Sequence, residues 1–473
     1  MDFTVTSAHA MLLIEVAGCY MGMERLTAMN KHIDVKNSRA NDAGLAKNTQ
    51  IELDSNCISM VADAVGTPFY CYSPEVIAQA YEELSTALSP VGASVCYAVK
   101  ANGNLSILQL LSRLGCGMDI VSGGEMERAL EAGVPASRII FSGVGKSPRE
   151  IARALTEGVH QINVESPAEF HLVADIAASL GLRAPVALRV NPDVDAQTHA
   201  KISTGKKGDK FGVALGDVAG LFEAAAGRAE IEMVGLAVHI GSQILDLSPY
   251  RRAYGVLADL VRDLRTQGHA VPRLDLGGGI GIAYGDQGAP SVAELAAIIA
   301  ETVGGLGCAL TVEPGRWLVG RAGALVTTVL YTKEAGERTL AIVDAGMNDL
   351  VRPALYGAVH PLGVVRSARG GEGQSYGVVG PVCESSDIFG VYDDLPQLAA
   401  GDLVAFLCAG AYSASMASTY NARDLVPEVF VSNGRFRIVR RRQTTRELMA
   451  LEKDTVWQDV ESGPAPENRK GIA

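Results

Sequence analysis

Residues 94–100 read SVCYAVK, and the way this run ends decides the fold. A short apolar strand stops on a lysine, and a helical pattern follows in ILQLLSRLG, residues 107–115. The same unit recurs down the chain. Strand-like runs end at Ser122 (MDIVS), Gly143 (RIIFSG), Ser166 (QINVES), Asn191 (VALRVN), Ser242 (LAVHIGS), Gly279 (LDLGGG) and Gly315 (LTVEPG). Between and before them, stretches such as IAQAYEELSTAL and FHLVADIAASLG repeat apolar residues at i, i+3 and i+4, the period of a helix buried on one face. Eight such units predict an α/β architecture, a (β/α)8 barrel of TIM type, over residues 74–320.

Outward from the barrel the texture changes. After residue 320 the helical period gives way to β-rich runs (GALVTTVLYTKE, RTLAIVDAG, SYGVVGPVC, DLVAFLCAGAY, PEVFVSNGRFRIVR) separated by Gly, Pro and Asp. They predict a second domain, a β-sandwich or β-barrel, over residues 321–456. Residues 51–73, with CISMVADAVGTPFYCY, read as strand pieces that join this β-domain. Residues 1–50 lack a stable period and read as a flexible extension, and 457–473 as a disordered tail.

The chain has 473 residues, enough for two domains. Its 41 basic against 53 acidic residues leave a net charge of −12, which argues against a nucleic-acid or anionic-membrane surface. The eight cysteines form no CxxC pair and no Cys/His cluster of zinc spacing, so neither a metal nor a disulfide framework is expected. The apolar stretch Met11–Met23 is broken by Glu15 and lacks a preceding basic region. The pattern predicts a cytoplasmic protein without membrane spans.

In a barrel of this kind the chemistry lies at the C-terminal ends of the strands. Lys100 ends the first strand. It reads either as a solvated surface lysine or as an amine whose partial desolvation lowers its pKa and suits it to forming a Schiff base. His239 ends the sixth strand, as a satisfied core residue or as part of a site. Gly277, Gly278 and Gly279 end the seventh, as a tight turn or as backbone that lets a phosphate approach its N–H groups. Glu313 lies near the end of the eighth, paired with Arg316 or facing a cationic heteroaromatic nitrogen. An amine, a phosphate cradle, a flat ring and a carboxylate are the parts a pyridoxal phosphate site needs.

With these motifs in hand the chain resembles the fold-type III pyridoxal-phosphate-dependent decarboxylases, and within them the diaminopimelate decarboxylase family. The resemblance is carried by YAVKAN (97–102), DIVSGGE (119–125), FSGVGKS (141–147), RVNPDV (189–194), ISTGKKGDKFG (202–212), HIGSQ (239–243), DLGGGIG (275–281), EPGR (313–316), RPALYGA (352–358), GPVCESSD (380–387) and GAYSASMASTYN (410–421). It implies that Lys100 is the Schiff-base lysine, that Glu313 bonds the pyridine nitrogen and that His239 stacks on the ring. Ser242, Gly277 to Gly279, Gly315, Arg316 and Tyr412 would contact the cofactor. Cys383 would return a proton after carbon dioxide leaves, reaching the site from the second subunit of a homodimer.

A carboxylate at the ring nitrogen favours decarboxylation over the racemases of this fold, which place arginine there. Arg316, Arg352, Tyr356, Glu384 and Tyr412 match the positions that read the far end of the substrate. Two guanidinium groups suit a carboxylate and a glutamate suits an ammonium, the two groups of meso-diaminopimelate's far end. The expected reaction is its decarboxylation to L-lysine. The rivals are a decarboxylase of ornithine, lysine, a polyamine precursor or a carrier-linked amino acid, and a non-catalytic regulatory homologue. Position 413 departs from the pattern: it is serine where glycine is frequent.

Overall fold

The structure is a computed structural model, and it describes residues 50, 51, 53–196, 204–205, 208–285, 288–367, 373–453, 455 and 457. The expected extension at 1–50 falls outside them but for its last residue, as do most of the tail and parts of the 202–212 motif.

The first described element corrects an expectation. Ser55–Val65 is a helix, not strand. Asp54 caps it by accepting the Cys57 N–H at 2.6 Å, Gly66 closes it with φ 70°, and Cys57, Ile58 and Val61 bury one face. Those apolar positions fit the helical period as well as the strand one, and the two caps decide. The strand β1 (Phe69–Tyr72) follows, fully buried.

The barrel strands are β2 (Ser94–Ala98), β3 (Gly117–Ile120), β4 (Ile139–Phe141), β5 (Gln161–Val164) and β6 (Ala184–Asn191), then, past the short β7 (Val213–Ala214), β8 (Ile231–Val238), β9 (Arg273–Asp275) and β10 (Ala309–Val312). All pair in parallel, β10 returns to β2, and β5 joins β6, so eight strands close a barrel as the sequence predicts. Helix Pro74–Leu88 precedes the first strand and packs beside Val292–Thr302 and Arg316–Val319. It thereby completes the outer ring of helices, because β10 is followed by just the four-residue turn Arg316–Val319.

One device recurs where strand meets helix. Ser122, Ser147 and Ser166 each cap a helix by accepting the N–H of Glu125, Glu150 and Glu169. Each glutamate in turn accepts a backbone N–H at the helix start, from Val121, Ser147 and Glu165. These Ser-x-x-Glu units are capping boxes or close variants of them. The spare oxygens then reach neighbouring units. Glu150 takes the Gly123 N–H at 2.7 Å, and Glu169 takes the buried Lys146 ammonium at 2.8 Å. Lys146 also donates to the carbonyls of Gly143 and Asn163 at 2.6 and 2.7 Å. The caps of successive units are thus interlocked around the mouth.

The β-domain holds β11 (Gly323–Ala335), β12 (Arg338–Val343), β13 (Leu362–Arg366), β14 (Gln374–Val379), β15 (Ile388–Leu395), β16 (Leu403–Phe406), β17 (Glu428–Ser432) and β18 (Arg435–Arg440). The long β11 pairs with β1 and β16 through its first half and with β12 through its second. β1 lies between β11, antiparallel, and β17, parallel. The strand list from sequence lacked β13 and β15. The second is irregular: Gly390 has φ 148°, Asp394 has φ 57°, and its register to β14 shifts. One apolar cluster runs through the barrel into the β-domain, and a smaller one lies between helix Ser55–Val65 and the sheet.

Removing one partner of a buried ion pair costs about 3–5 kcal/mol. Lys146→Met is therefore expected to lower the stability of the barrel by about 3 kcal/mol, read as a fall in the thermal or urea midpoint. Adding Glu169→Gln should recover part of the loss; an unshifted midpoint in the single variant would show that the interlock carries no weight.

Candidate active site

Lys100 lies in the turn Val99–Ala101, just past β2, at the base of a cavity of about 360 Å³. His239 and Glu313 line the same cavity, together with Ser142, Asn163, Arg189, Thr204, Phe211 and the loop Gly143–Gly145. Three residues from three strand ends, far apart in sequence, meet there.

The charge balance inside is unusual. The Lys100 ammonium bonds Asp119 Oδ2 at 3.1 Å, with the lysine side chain 34% exposed, toward the cavity, and the aspartate fully buried. Asp119 Oδ1 is buried and has no partner among the described residues. Burial pulls the Lys100 pKa down, but Asp119, Tyr412 and Glu313 pull it up further, and the net shift is upward. This reverses the expectation from sequence that desolvation would lower it, because the sequence reading left Asp119 out.

Glu313 is the opposite case. Burial, then the neighbouring Asp119 and Asp275, push its carboxyl well above the ordinary range, which favours its protonated form beside Asp275. Asp275 is fixed by Asn163 Nδ2 at 2.8 Å and by the Gly277 N–H at 3.0 Å. Asn163 also donates to Ser142, whose hydroxyl lies 3.5 Å from Glu313. The alternative pairing of Glu313 with Arg316 does not occur.

His239 accepts the Gly278 N–H at Nδ1, 3.1 Å away, which leaves any ring proton on Nε2. Burial, then Arg189 and Lys100, depress its pKa, so the ring is neutral. Arg189 is held by Glu165 at 2.9 Å and lies 4.8 Å over the Phe211 ring.

The three glycines do more than turn the chain. A Cβ on Gly277 would fall 2.1 Å from the Val238 carbonyl, on Gly278 1.9 Å from that of Glu313, and on Gly279 2.3 Å from that of Gly241. Backbones of neighbouring strands pass too close for any side chain. The N–H groups of Gly277 and Gly278 are spent on Asp275 and His239. Within the triplet, Gly279 keeps its N–H free of acceptors among the described residues.

A second cluster adjoins the first. Arg316 donates to the Tyr284 hydroxyl at 2.6 Å and to Ser242 at 3.2 Å, and lies 4.8 Å over the Tyr412 ring. Arg352 donates to the same Tyr284 oxygen at 3.0 Å. Both arginines are buried, neither has a carboxylate partner among the described residues, and the Nε of each lacks an acceptor. Burial, and the nearness of Arg316, lower the Arg352 pKa against the opposing pull of Tyr284.

Tyr412 comes from the β-domain. Its N–H bonds the Ala101 carbonyl at 2.7 Å, while Asn102 donates to the Gly410 carbonyl and Ser415 to that of Ala101. The loop is thus stitched over the Lys100 turn. Gly315 leaves room for it: a Cβ there would sit 3.0 Å from the Tyr412 hydroxyl. Ser413, the departure noted in the sequence, is buried and bonds the Ala411 carbonyl, so it is accommodated without a partner in the cavity.

Cys383 and Glu384 are elsewhere. They lie on an exposed segment between β14 and β15, ordered by Asp387, which accepts the Met347 and Val382 N–H groups. Neither lines the cavity. Tyr356 is half-buried at the end of helix Arg352–Tyr356. Sequence reasoning passed over Asp119, Ser142, Asn163, Arg189, Asp275, Tyr284 and His360. For four of them the signal was present: Asp119, Asn163, Arg189 and Asp275 are each a polar residue flanked on both sides by apolar ones in a strand run, where burial is costly without partners. Among the described residues no His, Cys, Asp or Glu group could hold a metal, and no helix is long and apolar enough to cross a membrane.

Comparison with known proteins agrees with this geometry. Residues 75–320 match the family described as pyridoxal-dependent decarboxylase, pyridoxal binding domain. The chain is 46% identical to a diaminopimelate decarboxylase of Neisseria meningitidis over 83% of its own length and 94% of that protein's. It is 44% identical to one from Pseudomonas aeruginosa over 86% and 97%. The crystal structure of diaminopimelate decarboxylase from Helicobacter pylori complexed with L-lysine superposes with a TM-score of 0.81 at 42% identity, covering 84% of this chain and 99% of that one. A lysine in a carboxylate-rich barrel mouth, with a paired-arginine site beside it, thus sits in a chain that belongs to the pyridoxal-dependent decarboxylases, in the diaminopimelate decarboxylase family.

Proposed function

We propose that the chain decarboxylates meso-diaminopimelate to L-lysine and carbon dioxide with pyridoxal 5'-phosphate, using the residues gathered at the barrel mouth. One observation carries the substrate reading: Arg316 and Arg352, both buried, converge on one phenol oxygen with no carboxylate to neutralise them among the described residues. Such a site asks for an anion from outside. A diamine end, as in ornithine or lysine, would meet two cations there.

The cavity fits the cofactor. It offers a lysine amine, a neutral imidazole, the orphaned Asp119 Oδ1 and a carboxyl at Glu313 that burial pushes toward its protonated form. When bound, the cofactor supplies an electron sink for the pair left behind by carbon dioxide. Lys100 gives its amine to hold it. Asp119 keeps that amine charged until then. The Glu313 carboxyl, pushed toward its protonated form, would face a basic ring nitrogen, and Asp275 would lie beside it. Because His239 is neutral, it can lie against a cationic ring without repulsion. Ser242 and the free N–H of Gly279 suit a phosphate, and Arg316 lies beside Ser242.

Cys383 is the proton donor in this reading, and Glu384 takes the ammonium of the substrate's far end. Their exposure away from the cavity of their own chain supports a homodimer in which each chain lends them to the other. Lys100→Ala should abolish both the imine absorbance and turnover. Cys383→Ala should keep the absorbance and lose turnover. Mixing the two variant chains in equal amounts should restore about a quarter of wild-type activity, because half the dimers form across the types and each carries one intact site. Activity that stays at the level of the separate variants would remove the shared site.

The acid–base reading has its own test. Imine formation needs the free amine, so capture of the cofactor by the apoprotein should speed up as pH rises toward the elevated Lys100 pKa. Asp119→Asn removes the largest upward pull, which lets burial lower that pKa. Capture, followed by absorbance, should then reach its plateau at lower pH than in the wild type. A profile that stays put would show that Asp119 does not hold the proton balance of Lys100.

A further inference from the structure

Beyond the two arginines, the structure points to what aims them. We propose that Tyr284 is a specificity-determining residue that donates its hydroxyl to the substrate's far carboxylate, and that His360 is the positioning residue that keeps Arg352 turned toward that group. The proposal rests on the reading above that Arg316 and Arg352 bind this carboxylate.

Consider the phenol first. The Tyr284 oxygen accepts an N–H from Arg316 at 2.6 Å and another from Arg352 at 3.0 Å. Its two lone pairs are then used, so its own proton must point in a third direction. No acceptor meets it among the described residues. A hydroxyl flanked by two guanidinium groups, with a proton to give, is a third donor for one anion.

His360 fixes the second arm. Its Nδ1 lies 2.9 Å from the Leu407 carbonyl, which can accept but not donate, so Nδ1 carries the proton. Its Nε2 lies 2.8 Å from Arg352 Nη1, which can donate but not accept. The tautomer is forced from both sides. The ring is buried and rests edge-on to Tyr284, 84° from its plane with centroids 5.2 Å apart. Tyr392 anchors the His360 carbonyl at 2.9 Å. Protonation would set a third cation against Arg352; burial and that arginine press the imidazole pKa down to about 3, so the ring stays an acceptor through the working range. Arg352 Nη1 is thereby committed to Tyr284 and His360, while its buried Nε has no partner among the described residues. One side of the guanidinium is braced and the Nε edge is left unpartnered, which suits it to bidentate capture of a carboxylate.

Tyr284→Phe keeps the ring and removes the oxygen. In the holoenzyme it should raise the KM for meso-diaminopimelate at least about tenfold while kcat changes less than about threefold, because the contact is remote from the reacting carbon. His360→Phe should act in the same direction, and His360→Gln, which retains an acceptor for Arg352, should recover most of the loss. The wild-type KM should show no step near pH 6.5. Imine absorbance and thermal midpoint verify that each variant is loaded and folded. An unchanged KM in Tyr284→Phe, alongside at least a tenfold rise in Arg352→Ala, overturns this proposal and leaves the carboxylate reading intact. An unchanged KM in Arg352→Ala as well overturns that reading itself. Equal losses in His360→Phe and His360→Gln, or a KM step near pH 6.5 that His360→Gln abolishes, would remove His360 as a fixed acceptor.

Discussion

Three carboxyl groups, Asp119, Asp275 and Glu313, share the interior of the barrel mouth with the ammonium of Lys100. They cannot all be charged there, since desolvating ions is costly unless each is paired. The site resolves the conflict by dividing the roles. Asp119 stays beside the lysine, the Glu313 carboxyl is pushed toward its protonated form, and Asp275 is steadied by Asn163 and the Gly277 N–H. Every other feature of the mouth serves that division. The glycine run lets the strands close tightly enough to bring the groups together, and the interlocked caps hold the loops that surround them.

The second cluster inverts the first. At Tyr284 positive charge is in excess among the described residues, and in the proposed function an incoming carboxylate balances it. In the proposed function the arrangement separates two tasks in space: proton management around the lysine, and recognition of a distant carboxylate around the phenol. Binding energy collected at the far end can then be used to place the reacting end, which is how remote contacts aid a chemical step.

Much of this was legible in the sequence. The βα repeat announced the barrel, and Lys100, His239 and Glu313 stood out because each ended an apolar run. What was harder to see has physical causes. Asp119, Asn163 and Asp275 lie within strands, where a single polar letter is easily read as an interruption. The upward shift of Lys100 depends on a partner from the next strand, so no local rule predicts it. Tyr284 lies in the barrel segment and His360 in the β-domain, 76 positions later, and they meet through the fold. The helix Ser55–Val65 was misread because its apolar spacing also fits a strand, and the caps that settle the matter are single residues.

The position of β1 has a consequence for how the molecule comes into being. Among the described strands this one is made first, yet one of its neighbours, β11, starts at Gly323 and the other, β17, at Glu428. On a ribosome, Phe69–Tyr72 therefore emerges well before either partner, an apolar segment awaiting most of the chain. Contacts so distant in sequence are slow to close and leave edges exposed meanwhile. The barrel can assemble during that interval, but the loop carrying Tyr412 arrives late, so Lys100 acquires its cover near the end of synthesis. A barrel cut off before the β-domain would have its lysine and lack the roof over it.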